Sequence, residues 1–242
     1  FIPEMARAVA RRDQRAFVER TALGLRLVGL MTLPAAFGFL VMSRPIIGAL
    51  LQHGKFTAAN ADLTARALTG LSLGLVGYSI YLFALRGFYA HQDTRTPFLI
   101  NVVQNIINII LAFALVSKYD VLGLGIAFAV SYLVGAIIAL LTLQIKVRTF
   151  PAVTLLMDLL RMFSAALVMG IVLWFIIKPV GENSGLGALL RIAFGTVSGT
   201  VIYFGALTLL KVPEASYWRT LTRGLFPLRH TPPSDDLTRQ DD

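Results

Sequence analysis

Six stretches of the chain, approximately 25 to 50, 67 to 89, 97 to 116, 121 to 145, 159 to 177 and 187 to 210, are almost continuously apolar. Each is near the roughly 20 residues a helix needs to cross a hydrocarbon core of about 30 Å. Lipid gives backbone N–H and C=O groups no hydrogen-bond partner, so such a run must satisfy them within itself, as a helix. Composition agrees, with 56% hydrophobic residues, 14% charged residues and a mean hydropathy of +0.72; a soluble domain carries roughly 25% charged residues. The expected fold is all-α and membrane-integral, with about six transmembrane helices.

The net charge is +9, but the basic residues lie between the apolar runs and form no single stripe interleaved with stacking aromatics. Nucleic acid is therefore not an expected partner. Counted over alternate connections, sixteen Lys and Arg fall on one side and six on the other. The positive-inside rule then places both ends in the cytoplasm.

Residues 1–24 set Arg7, Arg11, Arg12, Arg15 and Arg20 among Ala8, Val9, Ala16 and Phe17. They read as a basic connector, either lying at an anionic membrane surface or solvated. Residues 25–210 are the six-helix lobe. Residues 211–242 end in HTPPSDDLTRQDD and carry too little apolar surface to offset ordering entropy. Their first part, with Trp218, Leu221, Leu225 and Phe226 among arginines, is expected along the inner membrane surface. The opening FIPEM runs into basic sequence without the pattern of a signal peptide, and the chain is expected to be the C-terminal part of something longer.

Cysteine is absent, which removes disulfides and thiolate chemistry. Asp62, Asp93, Asp120, Asp158 and Glu182, with His53, His91 and His230, fall in connections or near helix ends. Neither a clustered metal site nor a buried carboxylate relay is expected, and no catalytic residue, metal or cofactor is assigned. The spans do contain amides. Asn101, Gln104, Asn105 and Asn108 share one face of the third run, and because amides facing lipid are costly, that face should meet other helices or a wet cavity. Pro34 should remove one hydrogen bond from the first helix. The pairs Gly70 with Gly74 and Gly195 with Gly199 have a spacing that lets helices approach closely, and ordinary tight packing is their expected use.

Two connections are more specific. LLQHGKFTAANADLTARAL, from Leu50 to Leu68, carries Gly54, Phe56 and Thr57; LRGFYAHQDTRTPFLIN, from Leu85 to Asn101, carries Arg86, Phe88, Tyr89, Asp93, Thr94, Thr96 and Pro97. In this order and separated by one span, they resemble the lipid II flippase family MurJ, also called MviN, within the multidrug, oligosaccharidyl-lipid and polysaccharide exporters. The resemblance runs from Phe1 to about Leu210.

It implies the C-terminal lobe of a fourteen-helix two-lobed transporter in the bacterial cytoplasmic membrane, which moves a polyprenyl-linked glycan, lipid II, outward by alternating access. It also implies membrane lipids and cell-wall assembly proteins as partners, and runs 159–177 and 187–210 as the groove for the polyprenyl tail. The family's cavity arginines lie mainly outside the matched portion. Some members carry an acidic residue four positions after the counterpart of Asn108, where this chain has Ala112. Exporters of another polyprenyl-linked glycan, or a membrane scaffold for cell-wall assembly, are the alternatives.

On the residues alone, Thr96 and Pro97 mark a helix start, with Thr96 as N-cap and Pro97 in the first turn, where its missing N–H is harmless. Arg86 and Arg95 lie where a lipid phosphate or a diphosphate could be met, or where they simply anchor topology. Arg86 is the candidate taken forward for substrate contact.

Overall fold

A computed structural model describes residues 2–147 and 152–210. The expectations for residues 211–242 lie outside the described residues. The helices are α1 (Ile2–Ala10), α2 (Gln14–Leu51), α3 (Ala58–Ala90), α4 (Arg95–Lys146), α5 (Ala152–Ile177) and α6 (Gly185–Leu209). Polar side chains set several starts: Asp13 accepts from the Ala16 amide at 2.9 Å ahead of α2, and Thr57 caps α3 by accepting from the Asn60 amide. The helix carrying the first span thus begins well before the apolar run that starts near residue 25.

Helices α2, α3, α4, α5 and α6 are each long and apolar enough to cross a membrane. At 52 residues, α4 would extend about 78 Å if straight, more than twice a hydrocarbon core. It is not straight. Asp120 takes φ 50° and ψ −134°, a conformation non-glycine residues seldom adopt, and the chain reverses there. The Gln104 amide meets Ser131 Oγ at 3.2 Å, whereas a continuous helix would hold them about 40 Å apart. Two arms, 95–119 and 121–146, therefore cross separately, and the described lobe has the six crossings its apolar runs predict.

Successive crossings alternate in direction. At one end, here the near end, α2 begins, α3 meets α4, and the second arm finishes. The Asp120 turn and the α2–α3 and α5–α6 connections form the far end. Helix α2 is central, with α3 on one side and α5 and α6 on the other, while both arms of α4 pack on α3. At the near end Met5, Ala8, Phe17, Phe88, Leu143 and Val147 share one core. The connector α1 thus docks on the lobe through Met5 and Ala8 and leaves Arg7, Arg11 and Arg12 exposed.

Lipid tails are as apolar as leucine, so helices in a bilayer associate by close packing and little by the hydrophobic effect. The seam between α3 and the second arm shows how. A Cβ on Gly125 would lie 2.4 Å from the Gly70 Cα, and one on Gly77 would lie 3.0 Å from the Leu133 nitrogen. Backbone touches backbone there, and only glycine permits it. Further along, Tyr78, Tyr81, Phe128 and Tyr132 form a ring cluster with centroids 4.5 to 5.9 Å apart.

Candidate functional site

Asp93 organises the near end. One of its carboxylate oxygens accepts from the Thr96 amide at 3.0 Å; the other accepts from the Thr96 hydroxyl at 2.7 Å and Lys146 Nζ at 2.6 Å. Asp93, and not Thr96, is therefore the capping side chain of α4, which begins at Arg95 and holds Pro97 within its first turn. The Lys146 bond, helped by Thr96, holds the Asp93 carboxyl well below the usual carboxylate range. It also joins the two ends of the α4 hairpin.

Phe88 is fully buried and Pro97 is buried, so both serve packing, whereas Arg86, Tyr89, Thr94 and Arg95 are exposed. The Arg86 guanidinium lies 5.9 Å from the centre of the Phe83 ring.

At the far end Gly54 turns with φ +60°, Phe56 packs on Ile47, Ala61 and Ala65, and Thr57 is the α3 cap. These motif residues shape the connection. Beside them Arg44 reaches Asp62, the Gln52 side-chain oxygen Oε1 at 2.9 Å and the Asn183 backbone oxygen at 3.5 Å. Gly48 makes that approach possible, since a Cβ there would fall 1.7 Å from the same oxygen. Arg191 gathers the α5–α6 loop, donating to the carbonyls of Lys178 at 3.0 Å, Val180 at 2.6 Å and Gly181 at 2.7 Å, and to the Asn183 side chain. The loop is thereby tied to α2.

The amide stripe divides. Gln104 is fully buried against Ser131, with its carbonyl oxygen lacking a partner among the described residues. Asn101 donates to the Tyr81 hydroxyl at 3.2 Å, and Asn105 donates to the Asn101 side chain and backbone at 3.0 and 2.9 Å. Asn101 and Asn105 are exposed and Asn108 is half-buried. Arg86 does not join them. Five residues after Tyr81 on α3, it is turned about 140° from the Tyr81 face and shares the exposed face of Leu82 and Tyr89. Among the described residues no three His, Asp or Glu side chains cluster as a metal site would need.

A groove of about 620 Å³ opens between α2 and α6, floored by α5. Its wall on α2 includes Leu30, Pro34, Gly38, Met42 and Leu50, about 30 Å along a helix and so the full depth of a hydrocarbon core. On α6 it is lined by Gly195, Thr196, Gly199, Thr200 and Tyr203. A Cβ on Gly199 would rest in ordinary contact with Leu173 and Met169, both at 3.7 Å, so this position lines the groove while packing on α5.

Two polar ties hold the groove's frame together. Tyr203, 1% exposed, donates its hydroxyl proton to the Leu30 carbonyl at 3.1 Å. Nearer the α2 start, Arg26 Nη2 lies 2.8 Å from the Asp158 carboxylate, whose other oxygen meets Arg161 at 3.4 Å. Asp158 is only 3% exposed. From sequence it reads as an end-of-helix acid; the structure makes it the centre of a buried ion pair between α2 and α5. A basic residue inside the first apolar run and an acid just before the fifth were the available signal, but their partnership was not written in either stretch.

The crossings and the groove define a multi-pass helical membrane protein with a long apolar groove along its lipid-spanning depth. The family model described as Lipid II flippase MurJ matches residues 1–195, and the chain belongs to that family of transporters. It is 28% identical over 195 residues to the lipid II flippase MurJ of Thermosipho africanus, covering 76% of this chain and 38% of that protein. To the MurJ of Burkholderia cenocepacia it is 27% identical over 222 residues, covering 90% and 43%. A solved structure, lipid II flippase MurJ in an inward closed conformation, shares the fold with a TM-score of 0.69 at 24% identity, over 90% of this chain and 42% of that one. The chain thus spans about two-fifths of the length of these relatives.

Proposed function

We propose that this chain is the C-terminal lobe of a lipid II flippase, which carries the polyprenyl-linked peptidoglycan precursor outward across the bacterial cytoplasmic membrane. The observation that carries the reading is the α2–α6 groove. It is apolar, as deep as a hydrocarbon core and open along its length, which suits an isoprenoid chain that must stay in lipid while its head group crosses. The near end, where the basic connections gather, is then cytoplasmic.

The exposed amides Asn101 and Asn105 support a second element of the same reading. Facing lipid they would be costly, so this face of α4 turns toward a polar cavity shared with the other lobe. Head-group contacts there come from neutral amides in this lobe, and Arg86 supplies a basic contact at the cytoplasmic edge. The lobe transports only as part of the complete flippase.

A Cβ at Gly199 fits at ordinary contact distance from Leu173 and Met169, and the rest of a leucine side chain there would take up volume of the groove that Gly199 lines. In the complete flippase, Gly199→Leu is expected to leave the protein folded and inserted while lipid II accumulates on the cytoplasmic face. Normal lipid II distribution in cells relying on that variant would refute the tail-groove reading.

A further inference from the structure

Pro34 has no N–H, so the carbonyl four residues earlier, that of Leu30, loses its donor within α2. Inside a membrane-spanning segment no water replaces it, and Leu30 is buried. Helix α2 nevertheless runs unbroken through Pro34. The missing donor comes from α6: the hydroxyl of Tyr203, 173 residues away in sequence, stands 3.1 Å from the Leu30 oxygen. Leu30, Pro34 and Tyr203 all line the groove.

We infer that Tyr203 is a positioning residue whose hydroxyl stands in for the amide proton that Pro34 lacks, making the course of α2 and the seat of α6 a single mechanical variable at the cytoplasmic half of the groove. Three facts carry this. A proline inside a helix is its weak point, free to bend once the bond to residue i−4 is gone. The weak point here faces the groove. And a hydrogen bond to the Leu30 oxygen from outside its own helix comes from the opposite wall. If α2 bends at Pro34, the Leu30 carbonyl swings and must either carry α6 along or give up its donor. At the far end Arg44 ties α2 to the α5–α6 loop through the Asn183 carbonyl, and midway Met42 of α2 packs closely on Gly195 of α6, so change in groove width concentrates near Tyr203. The functional weight of this latch rests on the tail-groove reading; its mechanics do not.

The test is a double-mutant cycle in the complete flippase. Tyr203→Phe removes only the hydroxyl. Pro34→Ala restores an amide proton for Leu30, so the hydroxyl becomes dispensable. Spin labels at Met31 and Val201, both exposed, report the distance between the walls, and a photoreactive polyprenyl diphosphate reports occupancy of the groove.

Tyr203→Phe should broaden the distance distribution and shift the balance of docked to undocked walls about three- to tenfold, the order of one hydrogen bond. In the Pro34→Ala background the same substitution should do almost nothing. Equal effects in both backgrounds, or no effect in either, would overturn the latch, because a tyrosine used only for ring packing is indifferent to residue 34. Coupling without cross-linking of the polyprenyl probe would uphold the latch and defeat the tail-groove reading. Cross-linking with additive substitutions would do the reverse.

Discussion

The seam between α3 and the second arm of α4, and the frame of α2, α5 and α6, place glycines on membrane helices to opposite ends. At Gly70 and Gly125 the missing side chains bring two backbones into contact, and the space between the helices vanishes. At Gly199, on the wall of the groove, a Cβ would meet Leu173 and Met169 at 3.7 Å, an ordinary contact that displaces nothing. Glycine spacing alone cannot tell these apart, because what matters is whether the partner helix approaches. What holds each region differs accordingly. The seam gains dispersion from close contact along its length, whereas the groove's frame adds a few discrete polar ties to its packing: the Arg26–Asp158 ion pair, Tyr203 with Leu30, and Arg44 with Asn183 in the α5–α6 loop. A transporter can use the difference, since a few discrete bonds can be exchanged while a glycine seam cannot slide without losing every contact.

Removing charge should harm the groove frame most. Asp158→Ala leaves Arg26 without its carboxylate, and because Arg26 is itself only partly buried the cost is expected at about 3 kcal/mol, the low end for a buried pair. Thermal unfolding of the purified flippase should show α5 detaching from α2; an unchanged unfolding temperature would mean the pair is not a structural tie.

Adding a methyl should harm the seam next. Gly125→Ala forces a Cβ to 2.4 Å from backbone and is expected to cost about 1 to 3 kcal/mol as overpacking. Gly199→Ala, with 3.7 Å available, should stay within about 0.5 kcal/mol of the parent. Equal costs in the same unfolding assay would erase the contrast between the two regions.

The smallest effect concerns the α4 hairpin, whose ends Asp93 and Lys146 close. Because the folded-state pKa of Asp93 is lowered, its stabilisation is complete above the ordinary carboxylate range and disappears as pH falls through the folded value. Asp93→Asn should therefore be less stable than the parent at pH 7, and the gap should narrow steadily in acid. A gap independent of pH would assign the role of Asp93 to shape and not to charge.

Much of this architecture was legible in the chain. Apolar runs of crossing length gave six crossings, and Asp120, lying between the third and fourth runs, is where the chain reverses although its helix is otherwise unbroken. Pro34 announced a missing hydrogen bond. Its replacement was invisible, because Tyr203 sits in an apolar run where a ring is expected and a hydroxyl attracts no notice. Asp158 was similarly hidden: an acid near the end of an apolar run looks the same whether it reaches water or meets Arg26.

At the near end the capping side chain is Asp93, three residues before the expected Thr96. Thr96 and Asp93 both have capping chemistry, and the choice depends on where α4 begins, which pattern alone fixes poorly. The amide stripe was legible as one face, but its division between buried Gln104 and exposed Asn101 and Asn105 depends on how the second arm crosses. The groove had no residue signature at all, since its lining has the composition of any lipid-facing wall, and only the separation of α2 from α6 makes it a site.

The most direct measurement places a photoreactive side chain at Thr200, in the groove, and separately at Leu133, on the exposed face of the second arm, in the complete flippase supplied with lipid II. The account predicts cross-linking to the polyprenyl tail at position 200, its loss when Gly199→Leu is added, and background labelling at 133. Equal labelling at both positions, or labelling at 200 that survives Gly199→Leu, would show that the tail meets this lobe only as bulk lipid does.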